Sequence, residues 1–192
     1  MSKDIKKAIE VLKKGGIVIF PTDTSIGIGC RIDNKESLKR LFEVRRRPEN
    51  KPLLALVDSI KMAEDYLLPI PKKVTDRLIK KYWPGPLTIV LKCKVDKVPS
   101  LVRAGNTLGV RFPDNSELLK LIKGVGVPIV APSANFTGAK TPFKFEDLDE
   151  NLVKLVDYAL EGESLLKKPS TVIDCSRKPW RTIRQGAMEI KL

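Results

Sequence analysis

The chain has 192 residues, 42% of them hydrophobic, which suits one globular domain with a buried core and argues against a second large domain. Lys and Arg total 36 against 23 Asp and Glu, so the net charge of +13 favours anionic partners such as nucleotides or RNA, or else a lysine-rich surface that serves solubility or heat stability. There is no histidine and the three cysteines lie far apart, which excludes imidazole catalysis, histidine metal ligation and a disulfide framework.

The amino-terminal stretch predicts a helix followed by a buried strand. Apolar residues recur at i, i+3, i+4 and i+7 from Ile5 to Leu12, Gly15 and Gly16 end the helix, and "IVIF" forms the strand. Lysines interrupt the apolar positions, so the stretch is not typical of a signal peptide, and no run of about 18 apolar residues offers a membrane span. We therefore expect a cytoplasmic protein that has no membrane partner.

The rest of the chain alternates helices with short strands. The spacing of Leu38, Leu41 and Phe42 predicts a second helix, which Asp33 or Asn34 caps. Further helices are predicted over residues 59–67, 72–82, 116–123 and 146–160, and strands over 53–57, 87–91, 108–112, 128–132, 170–174 and 181–184. This alternation indicates the α/β class: a single domain over residues 1–192, built as an open, twisted, mixed sheet flanked by helices.

Several loops beside these strands are polar in the same way. They read "PTDTSIGIG", "RRRPENKP", "AGNTLGVR" and "PSANFTGAKT", and they offer hydroxyls, amides, glycine backbone and arginines with few carboxylates. Phosphates and carboxylates are bound by such donors through charge-assisted hydrogen bonds. Neither a GxxxxGKS loop nor a GxGxxG unit is present, so the loops predict an anion site of another kind.

Each loop also has a purely structural interpretation. The Pro-Thr-Asp-Thr segment fits a turn closed by a side-chain hydroxyl, arginines 45–47 fit the carboxyl terminus of a helix, and Ser133 with Asn135 fits a cap or turn. The stretch "WPGPLT" is typical of a turn that leads into a strand. Arg111 differs, because an arginine inside a strand pattern requires an anionic partner.

These loops, in this order, resemble the YrdC-type threonylcarbamoyl-AMP synthase family. The family pattern includes a PTDT/PTET-x-Y-G-x-G opening, a K-x-R-P segment, a V-R-x-P strand and an S-x-N loop, and "STVID" and "RQGA" follow here in register. The match runs from about residue 15 to 187 and is closest to the short, single-domain form. The resemblance implies a deep, positively charged cavity in a twisted α/β sheet.

The resemblance also implies an activity and a set of site residues. The enzyme would condense L-threonine, bicarbonate or CO2, and ATP into threonylcarbamoyl-AMP and pyrophosphate, with Mg2+ carried on the ATP and no metal site in the protein. By position, L-threonine would be bound by Thr22, Arg111 and Ser170, and ATP by Arg45, Arg47, Thr107, Ser133, Asn135, Thr141 and Arg184. Of these, Arg45, Arg47, Ser133 and Asn135 would act in catalysis, by positioning and by electrostatic stabilisation.

Three positions depart from the family pattern. Arg45 stands where the family has Lys, which keeps the charge and changes its shape. Ile26 replaces the Tyr of the opening loop, and Leu56 occupies a position that is His in some members. On this basis we expect Ile26 and Leu56 to alter the placement of L-threonine.

Two further functional hypotheses remain open from the sequence. A non-catalytic relative of the same fold would bind RNA or a nucleotide through a basic cavity, as the charge of +13 suggests. A carbamoyl-transfer relative would act on another substrate. The synthase would instead hand its product to a tRNA threonylcarbamoyl transferase, which modifies N6 of adenosine 37 in certain tRNAs.

Overall fold

The computed structural model describes residues 2–190, and its framework is one mixed sheet of nine strands. The strands are β1 Val18–Pro21, β2 Ile26–Arg31, β3 Leu54–Leu56, β4 Leu87–Lys92, β5 Thr107–Arg111, β6 Ile129–Val130, β7 Tyr158–Ala159, β8 Thr171–Asp174 and β9 Arg181–Arg184. Their order across the sheet is β7-β1-β2-β6-β3-β5-β4-β8-β9. Parallel pairs join β1 to β7, β3 to β5 and β4 to β8, and the other neighbours are antiparallel.

Seven α-helices connect these strands. They are α1 Lys3–Lys13, α2 Lys35–Val44, α3 Ile60–Tyr66, α4 Lys72–Val74, α5 Lys80–Tyr82, α6 Ser116–Val125 and α7 Glu150–Val153 within residues 2–190. A π-helical turn, Thr75–Ile79, joins α4 to α5, and a 3-10 turn spans Phe145–Asp147. Asn34 caps α2, because its side chain accepts the Ser37 N–H. It is one of the two residues that the sequence predicted as candidate caps. None of the described helices is long and apolar enough to cross a membrane.

Alternation along the strands divides the core into two apolar layers. Ile17 and Ile19 face the layer that α2 and the 72–82 helical segment cover, whereas Val18 and Phe20 face the layer that α1 and α6 cover. In β4, β5 and β8 the first layer receives Ile89, Val110 and Ile173, all at most 1% exposed. The alternate residues of these three strands lie on the other face, beyond α1 and α6, and this uncovered part of the sheet holds the cavity described below.

Two predicted elements were wrong in type. Residues 26–29 were predicted as part of a loop, but residues 26–31 form β2, because pairing with β1 and β6 overrides the weak strand signal of Gly27 and Gly29. The helix predicted over 146–160 is confined to α7, and β7 follows it. Asp157 accepts the Ile17 N–H at 2.7 Å and binds Arg40 at 2.6 Å, which holds this segment beside β1. The predicted 128–132 strand shortens to two residues.

Candidate active site

One cavity of about 820 Å³ lies on the uncovered face of β5, β4 and β8 and extends to the loops after β1 and β6. Six basic side chains line it, and one carboxylate does so among residues 2–190. The basic residues are Lys92, Arg45, Arg47, Arg111, Arg177 and Arg184, and the carboxylate belongs to Asp174. The excess of guanidinium and ammonium groups makes the cavity suited to anionic ligands.

Nine of the ten residues predicted for the site line this single cavity. They are Thr22, Arg45, Arg47, Thr107, Arg111, Ser133, Thr141, Ser170 and Arg184. Asn135, the tenth, does not line it and lies behind Ser133. Residues from six separate stretches of sequence therefore meet at one place, although nothing in this arrangement alone assigns a ligand to any of them.

The opening loop uses its first hydroxyl to close a turn. The Thr22 Oγ1 accepts the backbone N–H groups of Thr24 and Ser25 at 3.1 and 3.2 Å and donates to the Ser25 carbonyl at 2.8 Å. This is the turn that the structural interpretation of Pro-Thr-Asp-Thr describes. The Thr22 hydroxyl is 2.8 Å from a backbone acceptor, so its proton is already committed within the loop.

Arg111 has an anionic partner inside the protein. Its Nη2 lies 3.2 Å from Oδ1 of Asp23, and its Nη1 donates to Thr24 Oγ1 at 2.7 Å. Both charged side chains are at most 4% exposed. Burial lowers the pKa of Arg111, and the Asp23 charge partly restores it. The ion pair accounts for an arginine in this strand without a ligand, while the Arg111 Nε–H remains buried without a hydrogen-bond partner.

Arg45 is a buried cation without an acidic partner among the described residues. It is 3% exposed, and its Nε and Nη1 have no hydrogen-bond partner. Its Nη2 makes one long contact of 3.4 Å with Asn135 Oδ1. Burial and the nearby Arg47 charge lower the pKa of Arg45 to about 10. A buried guanidinium with free N–H groups on the wall of a cavity is energetically costly until an anion occupies that cavity.

The backbone between the arginines sets their directions. Arg46 has a φ of 50°, in the left-handed region, and its guanidinium stacks on Phe136 at 4.4 Å from the ring centre. The turn therefore sends Arg46 to the surface and leaves Arg45 and Arg47 on the cavity. Arg47 Nη2 donates to the Pro52 carbonyl at 2.9 Å, and burial lowers its pKa.

Asn135 organises the loop that follows β6. Its Oδ1 accepts the Ser133 hydroxyl at 2.6 Å, and its Nδ2 donates to the carbonyls of Phe136 and Ala139 at 3.1 and 2.7 Å. The side chain is thus fully engaged within the protein and acts on the cavity through Ser133 and Arg45. The structure places Asn135 outside the cavity lining, and its direct contact with ATP stays a prediction.

Ser170 connects three strands at one end of the cavity. Its Oγ lies 2.9 Å from Thr88 Oγ1 and accepts Arg184 Nη2 at 3.0 Å, and its carbonyl accepts Arg184 Nε at 2.9 Å. A Cβ on Gly186 would lie 2.2 Å from the Pro169 carbonyl oxygen, so only glycine allows the 184–187 loop to pack there. Burial lowers the pKa of Arg184.

Several polar residues of the lining were missed by the sequence prediction. They are Thr24, Ser25, Thr88, Lys92, Asn106, Asp174, Ser176 and Arg177. A signal for some of them was available, because Thr88 and Lys92 share the period-two face of β4, and Lys92 pairs across the sheet with Thr107. Asp174 carries two hydrogen bonds from Ser176, at 2.6 and 2.9 Å, and although burial raises its pKa these bonds hold it below the usual range.

Two of the departures from the family pattern lie away from the cavity. Ile26 and Leu56 are both 0% exposed, and neither belongs to the lining. Ile26 packs in the layer beneath α2, and Leu56 packs in the layer beneath α1 and α6. Neither residue therefore forms part of the cavity wall, and their effect on the placement of L-threonine stays a prediction. Arg45 is the departure that does reach the cavity.

The donor set of the cavity does not fit a metal held by the protein. The described residues contain no group of three or more His, Cys, Asp or Glu side chains placed to hold a metal ion. Asp174 is the single lining carboxylate within residues 2–190, and one of its oxygens already accepts two hydrogen bonds. A divalent ion would therefore have to be held through a ligand's own oxygens and water.

The chain is similar in sequence and structure to several known proteins. The family model Sua5_yciO_yrdC, described as telomere recombination, matches residues 10–186. Threonylcarbamoyl-AMP synthase of Bacillus subtilis is 37% identical over 177 residues, which cover 90% of this chain and 50% of that protein. Pyrococcus abyssi Sua5 complexed with L-threonine superposes with a TM-score of 0.90 and 34% identity, over 95% of this chain and 54% of that one.

A shorter relative matches over nearly its whole length. Escherichia coli YciO has a solved structure with a TM-score of 0.86 and 28% identity, covering 97% of this chain and 91% of that chain. The chain thus spans about half the length of the Bacillus and Pyrococcus synthases and nearly all of the length of YciO. The predicted α/β fold and the family resemblance are both confirmed by these matches.

Proposed function

The chain belongs to the Sua5/YciO/YrdC family, and we propose that it synthesises L-threonylcarbamoyladenylate from L-threonine, bicarbonate or CO2, and ATP. Two longer relatives carry the name threonylcarbamoyl-AMP synthase, and one of them has been solved with L-threonine. The product would serve N6-threonylcarbamoyl-adenosine formation in tRNA through a partner transferase. The reaction belongs to the nucleotidyl transfers, with pyrophosphate as the second product.

The observation that carries the proposal is the buried, unpaired guanidinium of Arg45 in a cavity that also contains Arg47, Arg111 and Arg184. The three reactants bring a carboxylate, a carbamate and a triphosphate, which repel one another in water. A cavity with six basic side chains and one carboxylate among the described residues offsets this repulsion. We assign the phosphates to Arg45 and Arg47, and the L-threonine carboxylate to the Nε–H side of Arg111.

The chemistry then proceeds in two steps. The amine nitrogen of L-threonine forms a bond to the carbon of CO2 and loses a proton, which gives a carbamate. A carbamate oxygen attacks the α-phosphorus of ATP, and the bond from that phosphorus to the bridging oxygen breaks and releases pyrophosphate. Positioning and preorganised donors supply the acceleration, and positioning alone accounts for roughly 7 to 11 kcal/mol in favourable cases. Mg2+ bound to the ATP oxygens neutralises phosphate charge.

The test measures pyrophosphate release by the purified protein with Mg-ATP and bicarbonate, with and without L-threonine. We expect release that requires both L-threonine and bicarbonate, together with a threonylcarbamoyl-adenylate peak in chromatography. Serine and carbamoyl phosphate are also tested in place of L-threonine. Product formation with either of them would identify a carbamoyl-transfer enzyme of different specificity. ATP binding without any threonine-dependent product contradicts the proposal and favours the nucleotide- or RNA-binding alternative, whose affinity should fall steeply with salt.

A further inference from the structure

Asp174 is the single carboxylate in the lining within residues 2–190, the proposed reaction does not use it, and it lies at a defined end of the cavity. The sheet register places Val90 opposite Gly109 on one side and opposite Asp174 on the other, and Gly109 in turn lies opposite Leu54. Leu54, Gly109, Val90 and Asp174 therefore form one row across four strands. The row is an apolar strip that ends in a carboxylate.

The strip has room for a flat apolar group. Gly109, Val90 and Leu54 are all half-buried members of the lining, in a sheet whose opposite face is filled by fully buried residues. A Cβ on Gly109 would meet Thr88, Val90 and Leu54 at 3.5 to 3.8 Å, an ordinary van der Waals distance, so the glycine keeps the strip low between these side chains. A nucleoside base is a ligand group whose planar apolar faces match such a strip.

Asp174 is too far from the predicted threonine-binding residues to contact the amino acid. Four residues of extended chain separate it from Ser170, which corresponds to roughly 13 Å. Toward the opposite end of the strands, Ser170 contacts Thr88, and Arg111 follows Val110, which pairs with Ile89. L-Threonine held there does not reach Asp174, whereas a nucleotide whose phosphates lie near the arginines is long enough.

Asp174 and Ser176 present acceptor atoms at this end, beside the cationic side chains of Lys92 and Arg177. Asp174 Oδ1 accepts both the N–H and the Oγ–H of Ser176, so Asp174 Oδ2 and the lone pairs of Ser176 Oγ are the acceptor positions without a hydrogen bond. Arg177, a largely exposed side chain, forms an ion pair with Oδ2 at 3.5 Å, which leaves further lone pairs of that oxygen for a hydroxyl donor. Two neighbouring acceptors match two neighbouring hydroxyl donors, while the edge of adenine alternates a donor with an acceptor and matches them less well.

We propose that Asp174 and Ser176 accept hydrogen bonds from the ribose 2′- and 3′-hydroxyls of ATP and thereby select a ribonucleotide. The identity of the nucleotide rests on the proposed function. The base then lies on the Val90–Gly109 strip, and the phosphates extend toward Arg45. Asp174 is a specificity-determining residue in this arrangement and takes no part in the bond changes.

Calorimetry with Mg-ATP and with its 2′,3′-dideoxy analogue tests the proposal. We expect the wild-type protein to bind ATP about 10- to 100-fold more tightly than the analogue, as for hydrogen bonds to a charged group. Asp174→Asn should bring the two affinities close together, mainly by lowering the affinity for ATP. The matched control is Asp76→Asn, which changes an exposed carboxylate that pairs with Lys80 outside the cavity, and it should keep the wild-type ratio.

Each outcome of this test bears on the proposal. An Asp174→Asn protein that retains the wild-type ratio overturns it, and so does a wild type that binds both nucleotides equally or binds neither. If Asp174→Asn instead changes the discrimination between ATP and inosine triphosphate and keeps the ribose preference, Asp174 contacts the base. This outcome also overturns the proposal. If Asp174→Asn fails to fold, Ser176→Ala should show a smaller loss of the preference for ATP over the dideoxy analogue.

The proposed synthase activity is judged separately by pyrophosphate release. A protein that prefers ribose but releases no threonine-dependent pyrophosphate refutes the synthase and leaves the role of Asp174 standing. Threonine-dependent turnover without any preference for ribose supports the synthase activity and refutes the role of Asp174.

Discussion

The guanidinium of Arg111 lies 3.2 Å from the carboxylate of Asp23, and both side chains are at most 4% exposed. The contact joins β5 to the loop after β1, so one ion pair both closes the opening loop and holds Arg111 at the cavity. Breaking a buried pair leaves one charge without compensation, whereas replacing both partners does not.

We therefore predict that Arg111→Met lowers the free energy of unfolding by about 3 to 5 kcal/mol, because Asp23 stays buried and unpaired. The double variant with Asp23→Asn should recover much of this loss in urea unfolding. Both variants should fail to bind L-threonine in calorimetry, since each lacks the guanidinium. A double variant as unstable as the sum of the two single variants would contradict the pairing, and unchanged threonine affinity would contradict the assigned role.

Arg45 should stabilise the complex with ATP at the expense of the ligand-free protein. Its Nε and Nη1 are buried without partners, so Arg45→Met removes an uncompensated charge and should raise the stability of the free protein by about 1 kcal/mol or more. The same change should abolish the rise in melting temperature that ATP produces. Lys39→Met, which removes an exposed charge on α2 outside the lining, is the control and should alter neither quantity. A destabilised Arg45→Met protein would show that Arg45 has a partner in solution.

Asn135→Asp should disrupt the loop after β6 although the side chain keeps its size. The amide donates to the carbonyls of Phe136 and Ala139, and a carboxylate would place oxygen against oxygen at both contacts. We expect a loss of about 1 to 3 kcal/mol in the free energy of unfolding and a weaker affinity for ATP. Asn135→Ala removes the donors without adding charge, so it shows how much stability is lost with the hydrogen bonds alone. An equal loss in the free energy of unfolding for the two variants would argue against repulsion.

Restoring the family's tyrosine at position 26 should not improve L-threonine binding. Ile26 is 0% exposed and packs beneath α2, so Ile26→Tyr overfills the core and should cost about 1 to 3 kcal/mol of stability. Threonine affinity measured by calorimetry below the melting transition should remain within experimental error of wild type. Tighter binding would show that this side chain reaches the cavity after all.

Asp157 ties the amino-terminal strand to β7 in a pH-dependent manner. Although burial raises its pKa, the contacts with Arg40 and with the Ile17 N–H lower it overall below the ordinary value of 3.8. The folded protein therefore binds fewer protons here than the unfolded chain, and the stabilisation is present above pH 3.8 and lost as pH falls through the lowered pKa.

Asp157→Asn should accordingly cost about 1 kcal/mol at neutral pH, a modest value because the pair is partly exposed. The difference from wild type should shrink as unfolding is measured at successively lower pH. A difference that stays constant down to pH 2 would exclude a role for the carboxylate charge.

Much of the fold was predictable because it depends on local patterns. The helix around Ile9, the cap at Asn34 and the strands "LTIVL" and "STVID" follow from periodicity and capping chemistry, and all of them appear in the structure. Residues 26–31 and 158–159 could not be assigned in this way. Their strand character comes from partners distant in sequence, through the pairing of Gly27 and Gly29 with β1 and the anchoring of Asp157 at Ile17.

The sequence by itself determined the family, the excess of basic and hydroxyl-bearing loops, and nine of the ten predicted residues of the cavity lining. Those are properties of residue type and order. Only the tertiary structure decided which groups remain available for a ligand: Asp23 already pairs with Arg111, Thr22 closes its own turn, Asn135 stands behind Ser133, and Arg45 is left unpaired. Hydrogen-bond partners and burial are set by segments far apart in the chain, and no pattern along the sequence records them.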